Sequence, residues 1–141
     1  MTRCRVGDRG ARMSASIPLV MVGVDYTQAS TRVRAAMALS DEEQVAMLRA
    51  LQKEGMQGFV QISTCNRTVW LTVARHPAWA GQLLEAQAQE RCGDRLEPGL
   101  SRVRPSLHRG LDAVHELMRI TTGLRSFVIG ERQVSGQVHR A

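Results

Sequence analysis

No apolar run in this chain is long enough to cross a membrane. Its best stretch, Ile17 to Val24, is interrupted by Pro18 and Gly23 and falls far short of the ~20 residues a spanning helix requires. A buried strand is the reading that remains. Cysteine is scarce: Cys4, Cys65 and Cys92 form an odd set with no Cys-x-x-Cys and no paired His spacing. Such a pattern builds neither a disulfide framework nor a structural zinc site. A reducing cytoplasm with at least one free thiol is therefore expected, and no metal. Lysine is nearly absent, since Lys53 is the single lysine among 19 Lys+Arg. Neither G-x-G-x-x-G nor a P-loop occurs, so the chain has no phosphate-cradling loop of its own.

With 141 residues, 43% hydrophobic and 23% charged, the chain suits one globular domain with a real core. The formal charge of +6 is carried almost wholly by arginine. Arginine suits phosphate and planar recognition, which admits a nucleic-acid partner without requiring one. The opening twelve residues, MTRCRVGDRGAR, have no apolar periodicity and no h-region or cleavage pattern after them, which argues against a secretory signal. Residues 1–16 read as a disordered extension, or as translation from too early a start with Met13 as the true one. Residues 17–129 form the domain. Residues 130–141 open a connecting helix with no stop signal, as though more chain follows.

Leu19 to Tyr26 is apolar and β-branched, a first strand. A short helical stretch spans Arg32 to Ala38. Ser40 followed by Glu43 is a capping box opening a helix with Val45, Leu48 and Leu51 on one face, ended by Gly55 and Gly58. Gly58 to Cys65 and Thr68 to Ala74 alternate as two strands around a polar turn. Pro77 starts a helix closed by Gly93. After a loop over 94–102 come a short strand, Val103 to His108, and a helix carrying Leu111, Val114, Leu117, Met118 and Thr121. Gly123 interrupts that helix, and a last one runs from near Gly130. This order predicts an α+β domain with a small, mostly antiparallel sheet and packed helices.

The segment Ser63-Thr64-Cys65-Asn66-Arg67-Thr68 carries the chemistry. A cysteine where a strand gives way to a turn is presented at an edge. A neighbouring guanidinium favours thiolate over thiol, Thr and Asn hold polar groups, and Arg67 can take a carboxylate bidentately. These are the parts of a nucleophile with a carboxylate-holding neighbour. The competing reading is a buried cysteine packed as a small hydrophobe. A second segment, residues 121–138, is broken by Gly123, Gly130 and Gly136 with Ser126 and Gln133 nearby. It reads as a ligand-approach loop or as an ordinary helix–loop–helix connection.

At these segments the chain resembles the glutamyl-tRNA reductase family. STCNRT at 63–68 is similar to that family's strand-end motif around its nucleophilic cysteine. TTGLRSFVIGERQVSGQV at 121–138 resembles its glycine-punctuated signature, and GVDYTQASTRVRAAMALSDEE at 23–43 its opening strand and first helix. The resemblance implies a domain whose Cys65 attacks the aminoacyl ester of glutamyl-tRNA. Thr64, Arg67, Ser126 and Gln133 would then hold the glutamyl group, with Arg67 on its carboxylate. It implies a thioester reduced by NADPH, bound in a domain absent from this chain, to glutamate-1-semialdehyde for tetrapyrrole synthesis through 5-aminolevulinate.

Three positions depart from the family pattern. Where the family places a catalytic His, ten residues before Ser126, this chain has Glu116, with His115 beside it and facing another direction. The family's Asp in the glycine signature is Arg125, and its early His is Tyr26. Cys65, His115 and Glu116 are thus the candidate catalytic residues, and the departures imply altered or lost reductase chemistry. A tRNA-dependent glutamyl transferase that keeps the thioester step is an alternative. So is a non-catalytic module that binds tRNA or a partner reductase.

Overall fold

Alternating apolar residues on four short segments pair into one antiparallel sheet. The computed structural model describes residues 17–93 and 103–124. In chain order the elements are β1 (Leu19–Asp25), α1 (Thr31–Met37), α2 (Asp41–Lys53), β2 (Met56–Ser63), β3 (Arg67–Ala74), α3 (Pro77–Gly93), β4 (Ser106–Arg109) and α4 (Leu111–Thr121). The strand order is β2-β3-β1-β4, and every neighbouring pair is antiparallel. The fold is α+β, as the element pattern predicts. The expected extension over 1–16, the loop over 94–102 and the helix from Gly130 lie outside the described residues.

Strand alternation sorts the side chains onto two faces. Val20, Val22 and Val24 of β1 and Trp70 and Ala74 of β3 pack with Val33 and Met37 of α1, Leu51 of α2 and Ala80, Leu84 and Ala88 of α3. Met21, Val69, Leu71 and Ile62 face the other way and meet Ala113 and Ile120 of α4. Helices α1–α3 thus cover one face and α4 the other, with the sheet between. Trp70 is fully buried and is the largest side chain of the core. Its Nε1 donates to Gln61 Oε1 at 3.2 Å. Gln61 also accepts from Leu39 N at 2.8 Å and donates to Leu39 O at 3.0 Å, so the turn between α1 and α2 is tied to β2.

The capping box forms as predicted, with Ser40 Oγ accepting from Glu43 N and Glu43 Oε2 accepting from Ser40 N. Several boundaries shift for local reasons. Gly55, at φ +81°, ends α2, but Gly58, at φ +75°, lies inside β2, at a register irregularity between Gln57 and Phe59. Positive φ and the extra residue make this a β-bulge, so β2 starts earlier than its β-branched run. Pro105 donates no backbone hydrogen bond, and β4 begins only at Ser106. β1 stops at Asp25 because its Oδ1 accepts from both Thr27 N and Thr27 Oγ1, curling the chain out of the sheet.

Candidate functional site

The β2–β3 hairpin closes through Thr64-Cys65-Asn66-Arg67. Thr64 N donates to Arg67 O at 2.8 Å, and Asn66 N donates to Thr64 Oγ1 at 3.2 Å. Cys65 and Asn66 are the corner residues, neither with positive φ. The corner is held from two further sides. Tyr26 N, just beyond β1, donates to Asn66 O at 2.8 Å. Arg34 of α1 reaches across to Cys65 O, donating from Nη2 at 2.7 Å and from Nε at 3.1 Å. The Cys65 side chain is exposed and its thiol is free. The backbone of the corner is pinned while the sulfur is presented.

One residue pair away, the sheet turns polar on its α4 face. Asp25 and Arg67 are direct cross-strand partners, as are Gly23 with Ser106 and Met21 with His108. These side chains, with Gln28 and with Glu116 and Ile120 of α4, line a cavity of about 40 Å³, room for a carboxylate-sized group. Arg67 is 2% exposed. Gln28 Nε2 donates to Ser106 Oγ at 2.6 Å, closing one wall. Glu116 sits 3.8 Å from Arg119, one turn on along α4. Close strand approach makes the cavity possible: a Cβ on Gly23 would lie 2.8 Å from Thr68 O, so only glycine fits there.

Cys65 lies at the hairpin tip, and Thr64 binds its corner. Arg67 starts β3 and points into the cavity rather than outward beside the sulfur. Arg67 is among the residues lining the pocket, and the guanidinium bonded at Cys65 is that of Arg34. Glu116 lines the cavity, whereas His115 is exposed on the outer side of α4 and does not. Ser126 and Gln133 lie outside the described residues, as does Arg125. Sequence reasoning missed Arg34, Asp25, Gln28, Ser106 and His108. Arg34 could have been flagged, because it falls on the Ser30–Arg34–Met37 side of a one-sided short helix. The pocket group could not, since only the β1–β3–β4 register brings it together. Among the described residues no group of three or more His, Cys, Asp or Glu is placed to hold a metal ion. No helix among them is long and apolar enough to cross a membrane.

An exposed thiol on a pinned corner and a small cavity of mixed charge, lined by Arg67, His108, Asp25 and Glu116, define an α+β domain that presents a free cysteine at a hairpin tip. Comparison with known proteins narrows this class. The family profile described as "Glutamyl-tRNAGlu reductase, N-terminal domain" matches residues 22–141. The glutamyl-tRNA reductase of Aliivibrio fischeri (strain ATCC 700601 / ES114) is 33% identical over 126 residues, covering 87% of this chain and 29% of that protein. The protein of the same name from strain MJ11 matches to the same extent. The solved glutamyl-tRNA reductase from Methanopyrus kandleri superposes with a TM-score of 0.59 at 23% identity, over 87% of this chain and 27% of that one, a likeness of fold. The chain belongs to the glutamyl-tRNA reductase N-terminal domain family. It spans under a third of the length of the relatives it matches.

Proposed function

We propose that this domain takes the glutamyl group of glutamyl-tRNA onto Cys65 as a thioester. Supporting this is an exposed sulfur on a corner whose backbone Arg34 fixes, two residues before the buried Arg67 that opens the next strand and lines the cavity on the α4 face. The sulfur attacks the ester carbonyl carbon. A C–S bond forms, the C–O bond to the terminal ribose breaks, and the ribose oxygen leaves with the proton the thiol gives up. The acyl group is then a thioester, more electrophilic than the ester it replaces. Arg67 is assigned to the glutamyl side-chain carboxylate, which the cavity has room for. Thr64 is assigned to the acyl group, together with Ser126 and Gln133 outside the described residues. Glu116, where the family has His, and His108 line the cavity wall beside Arg67.

The described residues do not fit a nicotinamide dinucleotide. Their sheet is wholly antiparallel, so it has no parallel βαβ crevice of the kind that cradles a pyrophosphate. NADPH and the hydride step toward glutamate-1-semialdehyde, 5-aminolevulinate and tetrapyrroles are assigned to protein outside these residues. The setting assigned is the cytoplasm, where the thiol stays reduced. The test is incubation with glutamyl-tRNA labelled in the amino acid, followed by denaturing separation. Label retained on the wild type and absent from Cys65→Ser supports the reading. Retention that survives Cys65→Ser, or none on the wild type, refutes it.

A further inference from the structure

We infer that Arg34 is the positioning residue for Cys65: it aims the nucleophile by clamping its backbone carbonyl. Resting on the reading of Cys65 as acyl acceptor, this assigns a function to a helix residue outside the hairpin. Arg34 is 8% exposed, and a buried guanidinium is costly unless its donors are satisfied. Its hydrogen bonds among the described residues run to three oxygens: Ala29 O, Thr31 Oγ1 at 3.0 Å, and Cys65 O, which takes both Nε and Nη2. The first two are local to α1 and its entry. Only the bidentate contact reaches another element, and it ends on the corner residue that carries the sulfur. A tie that holds α1 to the sheet is already present in Thr68 Oγ1, which donates to Arg34 O at 2.9 Å, while Arg91 of α3 holds α1 by donating to Ala36 O at 3.3 Å and pairs with Glu43 of α2 at 2.6 Å.

Two donors converging on one carbonyl oxygen fix where that oxygen sits, and together with Thr64 N on Arg67 O and Tyr26 N on Asn66 O they set the direction of the Cα–Cβ bond of Cys65. Reactions that need an aligned approach lose about 10²-fold from misplacements near 1 Å. Small, freely tumbling electrophiles do not need that alignment.

The experiment compares wild type, Arg34→Lys, Arg34→Met and the control Arg91→Met, which loosens α1 and α2 from α3 without touching the Cys65 corner. Each is measured for single-turnover acylation by saturating glutamyl-tRNA, for acylation by a small glutamyl thioester without RNA, for alkylation by iodoacetamide and for thermal stability. Arg34→Met is expected to lose 10- to 100-fold in both acylations, with tRNA affinity and alkylation within about threefold of wild type. Arg34→Lys, which keeps the charge but not the fork, recovers part of the loss. Arg91→Met loses stability and keeps its acylation rate. Acylation by Arg34→Met within threefold of wild type overturns the inference. So does an equal loss in Arg91→Met, or a loss of alkylation in step with acylation. If wild type reacts with the small thioester but not with glutamyl-tRNA, the proposed function fails while the effect of Arg34 is still read. If it reacts with neither, both fall.

Discussion

On the α1–α3 side of the sheet, Val20, Val22, Val24 and Trp70 are sealed against Met37, Leu51 and Leu84. On the α4 side, the same two strands turn Asp25 and Arg67 toward a small polar cavity beside a thinner apolar contact of Met21, Val69, Leu71, Ala113 and Ile120. One face supplies most of the buried apolar area and the larger share of the hydrophobic free energy. The other is left free to hold buried charge, which costs stability unless it is paired and hydrogen-bonded. The two cysteines among the described residues repeat the contrast, with Cys65 exposed at the hairpin tip and Cys92 buried in the last turn of α3. A sheet with one dry side can carry a polar site on its other side without coming apart.

Substitutions on the two faces should therefore separate into different classes. Trp70→Ala removes the largest core side chain and is expected to cost about 3–5 kcal/mol of stability, measured by denaturant unfolding. Glutamyl transfer by the protein that remains folded should be unaffected. Arg67→Gln should weaken retention of the glutamyl group by about 2–5 kcal/mol, as expected when one partner of a buried charged pair is truncated. Competition between tRNA charged with glutamate and with glutamine reads this, because the variant should lose its preference for the acidic side chain. If Arg67→Gln keeps that preference, the cavity is not the carboxylate site.

Gly23→Ala sharpens the contrast, because its Cβ would press on Thr68 O from 2.8 Å at the point where β3 leads into the cavity. A loss of about 1–3 kcal/mol in stability is expected for such overpacking, with a fall in acylation out of proportion to it. The smallest effect belongs to Cys92. Burial pushes its thiol up, so the unfolded chain releases that proton at lower pH than the folded one. The stabilisation is whole in the neutral range and erodes as pH rises through the raised folded value. Cys92→Ala should flatten the alkaline decline of stability in a pH series and leave acylation unchanged.

Most of the fold was legible in the sequence because its elements carry local signals. The Ser40–Glu43 box, the Pro77 start and the alternation of residues 68–74 all specify structure within a few residues. Misplaced edges trace to effects that need the partner strand, such as the bulge at Gly58, or to a side chain acting on its own backbone, such as Asp25 on Thr27. Cys65 and Arg67 stood out because they share one short motif. Arg67's direction did not, since strand alternation sends it to the α4 face while Cys65 remains on the turn. Asp25, Ser106 and His108 come from the first and last strands of the described sheet, more than half the chain apart, and only register places them around one cavity. Arg34 meets Cys65 across thirty-one positions of sequence, a contact that no local pattern encodes.

The central claim is that Cys65 accepts the glutamyl group. Its most direct measurement is the mass of the protein after a single turnover with glutamyl-tRNA, with the modified peptide sequenced. One added glutamyl residue on the peptide carrying Cys65, released by hydroxylamine as a thioester is, is the predicted result. An unmodified Cys65 after the tRNA has been deacylated, or a hydroxylamine-stable adduct elsewhere in the chain, would contradict it.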